Sequence, residues 1–307
     1  NPRKVSSQKR INILATSYPF SHVAVIGIGL IGASIVHAAK FRNLPVTFSA
    51  YDNNPEVRAE AEDLLPDIRI TITLQQAVAD AELVILAVPV GVMEQVMKDI
   101  APYLRPGCVI TDTGSTKRSV IRDVVPFVPE ACNFIPGHPL AGTEFSGPAA
   151  GFASLFETRY WLLLPNGSPE HRVAGLKTFL SDLGAMVETM DADYHDRVLA
   201  ITSHLPHLIA YTIVGTAVDL EQDLKNDVIR FSASGFRDFT RIASSDPVMW
   251  RDVFLNNNEA VLEMLQRFSE DLSYLQRAIR WKEGDKLHDL FSRTRAIRRS
   301  IIDAGQD

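Results

Sequence analysis

The stretch "HVAVIGIGLIGASIVHAAK", His22 to Lys40, sets three glycines between an apolar run and a segment of helical spacing. Residues 23–28 read as a buried strand and 30–41 as a helix. Gly27, Gly29 and Gly32 therefore form G-x-G-x-x-G at a strand-to-helix turn. The three glycines play separate parts, in that Gly27 permits the tight turn, Gly29 lets the backbone approach a pyrophosphate, and Gly32 lets the helix pack close to the strand. The helix N-terminus offers unsatisfied N–H groups and a positive dipole end to that anion. The next strand, 46–51, runs into Asp52, twenty residues past Gly32, where a carboxylate would bind the two hydroxyls of an adenosine ribose. A carboxylate there repels a 2'-phosphate, so NAD is expected over NADP. Asn53 and Asn54 keep NADP open. Leu30 and Ile31, at the start of the helix, and Val88 and Pro89, after the strand at 83–88, complete the expected cofactor-binding set.

Outward from this turn the chain keeps alternating. Helices are expected at 55–65, opened by a proline in its first turn, at 92–104 and at 117–125, and strands at 83–88, 109–111, 133–135, 160–164 and 186–189. Such alternation predicts an α/β fold, a Rossmann-type parallel sheet with helices on both faces that runs to about Met190. After Asp191 the pattern is helical only, with long segments at 194–220, 250–281 and 284–302. The division expected is an N-terminal extension at 1–20, a dinucleotide-binding domain at 21–190, and a helical substrate-binding and dimerisation domain at 191–307. Leu262, Leu265, Phe268, Leu272, Leu275 and Ile279 form a stripe more apolar than one surface helix needs. Core packing explains it most simply, with a helix bundle between subunits as the second reading.

With 307 residues, 46% of them hydrophobic and 22% charged, the chain is long enough for two cores of ordinary globular composition. A net charge of -6 lacks the basic footprint of a nucleic-acid binder. No apolar stretch is read as a membrane span and no signal peptide is recognised, so a cytoplasmic protein is expected. Cys108 and Cys132 lie in apolar surroundings and suit a reducing compartment.

Three polar stretches fall where strand ends or helix faces would meet the cofactor: "TDTGSTK" (111–117), "GHPLAGTEFSG" (137–147) and "SHLPH" (203–207). A fourth, "GFRDFTRIASSDPVMWRD", begins at Gly235. His204 and His207 share a helix face, and Pro206 between them removes a backbone donor, which predicts a bend. With no acidic or cysteine partner at ligand spacing, no metal is expected.

Taken together and in this order, "GHPLAGTE", "SHLPH" and "GFRDFTRIA" behind a dinucleotide fingerprint resemble the prephenate/arogenate (cyclohexadienyl) dehydrogenases of tyrosine biosynthesis, from about His22 to Ile302. The resemblance implies NAD-dependent oxidative decarboxylation of prephenate, arogenate or both, giving 4-hydroxyphenylpyruvate or tyrosine. It implies His138 as acceptor for the substrate hydroxyl and Ser115 as its hydrogen-bonding companion. His207 would touch the substrate side chain, and Arg241 would hold a carboxylate through two parallel bonds. Glu144 would stand near the cleft mouth, while His204 and Arg237 are lesser candidates for substrate binding. A homodimer formed through the helical domain and tyrosine inhibition at the active site are also implied. The competing readings are a β-hydroxyacid or pyrroline-carboxylate reductase type of dehydrogenase and a nucleotide-sensing protein without turnover. The helix around His204 lacks the lysine that the β-hydroxyacid type places there.

Overall fold

The structure is a computed structural model that describes residues 18–218, 230–231 and 234–303. All but the last three residues of the expected extension at 1–20, and the end of the helix expected at 194–220, lie outside the described residues. Two compact units are resolved: one runs up to His195 and includes Ser245–Asp252, and the other comprises Asp196–Ser244 and the chain from Val253 onward.

The first unit is built on six parallel strands: β1 (His22–Ile26), β2 (Thr47–Tyr51), β3 (Arg69–Ile70), β4 (Leu83–Leu86), β5 (Val109–Asp112) and β6 (Asn133–Phe134). Their order is β3-β2-β1-β4-β5-β6, with β1 paired to both β2 and β4. That is the doubly wound arrangement, with its switch point between β1 and β4. β1 shows why its sequence is a continuous apolar run. Val23 and Val25 join the core on one face and Ala24 and Ile26 the core on the other, so no position is left for a polar residue. The strands alternate with α1 (Leu30–Phe41), α2 (Pro55–Leu64), α3 (Leu74–Val78), α4 (Met93–Ile100) and α5 (Arg118–Val124). The helix expected at 92–104 is shorter because 3₁₀ turns at Val90–Val92 and Ala101–Tyr103 flank α4, the second containing Pro102.

The expectation of one sheet running to Met190 is corrected. β7 (Gly137–Pro139), β8 (Tyr160–Leu163) and β9 (Met186–Thr189) form a separate three-stranded sheet. β7 is antiparallel to β8, so His138 lies opposite Leu162. Beside this sheet, α6 (Glu170–Asp182) buries Leu176, Phe179 and Leu180 in the same core as Trp161 and Leu163.

The second unit is helical throughout its described residues. α7 (Ala192–Leu199) passes through a π turn at Ala200–His204 into α8 (Leu205–Val218). In the π turn the Leu205 N–H reaches back five residues to the Ala200 carbonyl, immediately before Pro206. The bend expected at Pro206 thus takes the form of one extra residue in the turn. α9 (Ser234–Thr240), a 3₁₀ turn at Arg241–Ser244, α10 (Pro247–Asn256), α11 (Asn258–Arg280) and α12 (Gly284–Asp303) follow. The single helix expected at 250–281 is broken at Asn257, which leaves helical backbone and donates its amide to the Asp196 carbonyl at 2.8 Å.

Two further expectations do not hold. The run Ala192–Ala217 is, by length and composition, apolar enough to cross a membrane, although the sequence reading expects no such stretch. The reason is that α7 carries all the Asp and Arg residues of that run, and residues 200–217 carry no Asp, Glu, Lys or Arg. The apolar stripe of α11 is only partly covered: Leu265, Phe268 and Leu275 are half-buried, whereas Leu262, Leu272 and Ile279 are 61%, 49% and 64% exposed. Among the described residues, the hydrophobic cluster of this unit consists of Ala200, Ala260 and Val261, with Phe254 and Met264 against it.

Candidate active site

The glycine turn is built as its spacing demands. Gly27 has φ +92°, and a Cβ there would lie 2.3 Å from the Ala87 carbonyl oxygen and 2.9 Å from Val88 Cγ1. A Cβ on Gly32 would stand 2.1 Å from the Gly27 oxygen, whereas one on Gly29 would meet nothing within 4 Å. Two glycines are therefore required by the protein's own packing, and the third faces open space at the start of α1. That helix has no side-chain cap and no acidic residue in its first turn, so its N–H groups are available to an anion.

Asp52 follows β2 at the neighbouring strand end. Its Oδ2 accepts from the Ile28 N–H at 3.1 Å and its Oδ1 from the Asn54 N–H at 3.0 Å. Each oxygen keeps lone pairs for a second donor, so the carboxylate is aimed and still able to accept from ribose hydroxyls. Asn54 serves as the cap of α2, accepting from the Glu56 N–H at 2.9 Å. Arg58 on α2 donates to the Asp52 carbonyl at 2.7 Å and lies over the Tyr51 ring. The residues present fit an NAD adenosine and pyrophosphate: an open backbone and a helix N-terminus after β1, and an oriented carboxylate at the neighbouring end of β2. Leu30 and Ile31 are half-buried in the first turn of α1, and Pro89 opens the 3₁₀ turn after β4.

His138 is buried in β7, and its Nδ1 lies 2.9 Å from Nε2 of His195, a fully buried histidine of α7. Ser115 is half-buried in the loop after β5. The two segments share an ion pair that the sequence reading missed. Asp112 and Lys117 are fully buried and joined by a direct Nζ to Oδ2 contact. Asp112 also accepts from the N–H of Gly114, at 2.8 Å, and from that of Gly137, at 3.1 Å. Lys117 donates to the Gly137 carbonyl at 2.6 Å. One clamp thus holds the residue before Ser115 and the residue before His138. Glu144 lies half-buried in the loop after β7.

In the second unit, His207 on α8 donates Nδ1–H to the Ser203 carbonyl at 2.8 Å, which leaves Nε2 as its bare nitrogen. Burial pushes its pKa below the ordinary value, the Ser203 carbonyl opposes that shift, and the positive charge of Arg241 adds to it. His207 and Arg241 are therefore neighbours, with Arg241 exposed at the start of its 3₁₀ turn. Arg237 is exposed on α9. His204 takes a different path: it is fully buried and its Nδ1 lies 3.1 Å from the Asn257 amide nitrogen. Among the described residues no cluster of three or more His, Cys, Asp or Glu side chains is arranged to hold a metal.

His195 and the Asp112–Lys117 pair escaped the sequence reading for different reasons. "TDTGSTK" displays its acid and its lysine openly, and a lysine among short polar residues reads as solvated until its burial is known. Nothing in the spacing of His138 and His195 joins them.

Residues 37–189 match the family described as prephenate dehydrogenase, nucleotide-binding domain, and residues 191–293 match prephenate dehydrogenase, dimerization domain. A cyclohexadienyl dehydrogenase of Zymomonas mobilis is 41% identical over 283 residues, 92% of this chain and 96% of the relative. A prephenate dehydrogenase of Lactococcus lactis is 32% identical, over 91% of this chain and 77% of its own length. Among solved structures, a prephenate dehydrogenase of A. aeolicus, in complex with hydroxyphenyl propionate and NAD+, has a TM-score of 0.85 at 30% identity, covering 92% of this chain and 98% of that one.

Proposed function

The chain belongs to the prephenate dehydrogenase family, and we propose that it carries out the NAD-dependent oxidative decarboxylation of prephenate, arogenate or both, with His138 as proton acceptor and Arg241 as carboxylate anchor. The observation that carries this reading is the clamp through which a buried ion pair fixes both the loop of Ser115 and the strand of His138 beside the NAD-binding sheet.

Bound NAD supplies the acceptor for the hydride that leaves the ring carbon bearing the hydroxyl. His138 takes the hydroxyl proton on Nε2, while Ser115 hydrogen-bonds to the same oxygen and orients it. As the carbonyl forms, the bond from the ring to its carboxylate breaks, and the electron pair closes the aromatic system as carbon dioxide departs. His138 then returns its proton to the phenolate oxygen, so the enzyme ends as it began. Arg241 pairs with a carboxylate through its guanidinium fork, and His207 contacts the substrate side chain through Nε2. Glu144 stands at the mouth, Arg237 plays a lesser part in binding, and His204 acts from the interior by ordering the helix that carries His207.

The division at 190/191 into nucleotide and substrate domains belongs to the same proposal, as does a homodimer formed through the helical half. The dimerization-domain match and the exposed apolar face of α11 support the dimer. A cytoplasmic location suits the buried free thiols Cys108 and Cys132, and tyrosine, as a product, would compete at the active site. The deciding experiment follows reduced-cofactor formation by absorbance with prephenate and arogenate, each with NAD and NADP. Turnover of either acid with NAD is expected, and no turnover of both would overturn the reading.

A further inference from the structure

We propose that His195 is a positioning residue that fixes the proton of His138 on Nδ1, leaving Nε2 bare for the substrate. The inference rests on the reading of His138 as proton acceptor and adds to it a group that never touches substrate. The geometry is a 2.9 Å contact between His138 Nδ1 and His195 Nε2, with the rings 5.1 Å apart and 60° between their planes. His195 is fully buried and His138 nearly so.

Two ring nitrogens at this distance need one proton between them, since two donors would repel and two acceptors would leave the pair unbonded. A neutral imidazole carries one N–H. If His195 donated, His138 would keep its own proton on Nε2 and present an N–H to the substrate hydroxyl, unable to accept from it. If His138 donates, Nε2 carries no proton and can receive one. Only the second arrangement permits the first proton transfer, and it requires His195 to hold its proton on Nδ1 and act as acceptor. Once His138 is charged, its Nδ1–H still faces an acceptor, so the transient imidazolium keeps a hydrogen-bond partner in its buried surroundings.

The experiment is nitrogen NMR on the full chain with ¹⁵N-labelled histidine, in which protonated and bare ring nitrogens give separate shifts. His138 is assigned by the loss of its signals in His138→Asn. The wild-type protein is expected to show His138 protonated on Nδ1 and bare on Nε2 at neutral pH. In His195→Phe, which fills the space but offers no acceptor, His138 is expected to shift toward Nε2–H, and kcat to fall by about tenfold or more as part of the general-base contribution is lost. His195→Gln, which returns an acceptor oxygen, is expected to restore both. A wild-type His138 protonated on Nε2 would overturn the proposal even in an active enzyme, as would His195→Phe with unchanged tautomer and kcat. Should His195→Phe fail to fold, the wild-type spectrum alone decides. A bare Nε2 together with a fully active His138→Asn would instead sink the reading of His138 as base and leave the tautomer assignment standing.

Discussion

Replacing His138 with asparagine keeps a polar side chain in β7 but removes the nitrogen that can take a proton. His138→Asn should therefore lower kcat by about 10²-fold or more, the usual contribution of a general base, while NAD titration gives an unchanged Kd. Matching losses in turnover and in NAD affinity would show that the residue supports the nucleotide site instead. Arg241→Gln should raise KM at near-normal kcat, because an amide cannot copy a charged fork on a carboxylate. A loss of roughly 2 kcal/mol or more in substrate binding is expected, and an unaltered KM would move the anchor elsewhere. At this scale the sequence displays its motif residues openly, and the structure sets Ser115 half-buried in the loop after β5 and Arg241 exposed at the start of its 3₁₀ turn. The sequence was silent where a group works through burial, since no spacing rule joins His138 to His195 or marks Lys117 as dry.

Elements make finer demands. Gly29→Ala should leave the thermal transition nearly in place, since a Cβ there meets nothing within 4 Å, and should weaken NAD binding if the pyrophosphate takes that open space. Gly32→Ala should instead lower stability, because its Cβ would press on the Gly27 oxygen. Equal effects of the two on stability, measured by thermal denaturation, would contradict this division of roles. Lys117→Met leaves the Asp112 carboxylate buried without its cation, a change that costs about 3 to 5 kcal/mol in comparable pairs. Chemical denaturation should register that loss, and an undiminished midpoint would mean that the clamp adds little. Elements with a clear apolar pattern and sharp ends were legible: α1 and β9 fall on the expected residues. The small sheet was not, because β7 has three residues and pairs antiparallel with a strand more than twenty positions away. The helix break at Asn257 was hidden as well, since an asparagine turned inward toward Asp196 and His204 looks in sequence like any polar position on a long helix.

For the molecule as a whole, burial holds His22, His37 and His207 below their ordinary pKa of 6.5, with nearby Arg69, Lys40 and Arg241 respectively adding to the shift. The unfolded chain then binds protons that the native state refuses as pH drops below about 6.5. Stability should decline across that window, before carboxylates such as Glu82, held low by the Ser21 N–H, begin to contribute. Melting temperatures measured from pH 7.5 down to 5.5 should fall, less steeply in His207→Gln, and a flat profile would refute the effect. The distribution of apolar surface was only half readable in sequence: the stripe of α11 was evident, but whether one chain could cover it was not. The chain also passes between its two compact units at residues 195, 244 and 252. Chimaeras exchanging the helical half with that of a relative by one crossover near residue 195 would carry off Ser245–Asp252. Asp252, whose carboxylate lies where a Cβ on Gly91 would touch it, would then come from a foreign parent. Domain shuffling in this architecture therefore calls for a graft with three junctions, returning that short segment to its own parent.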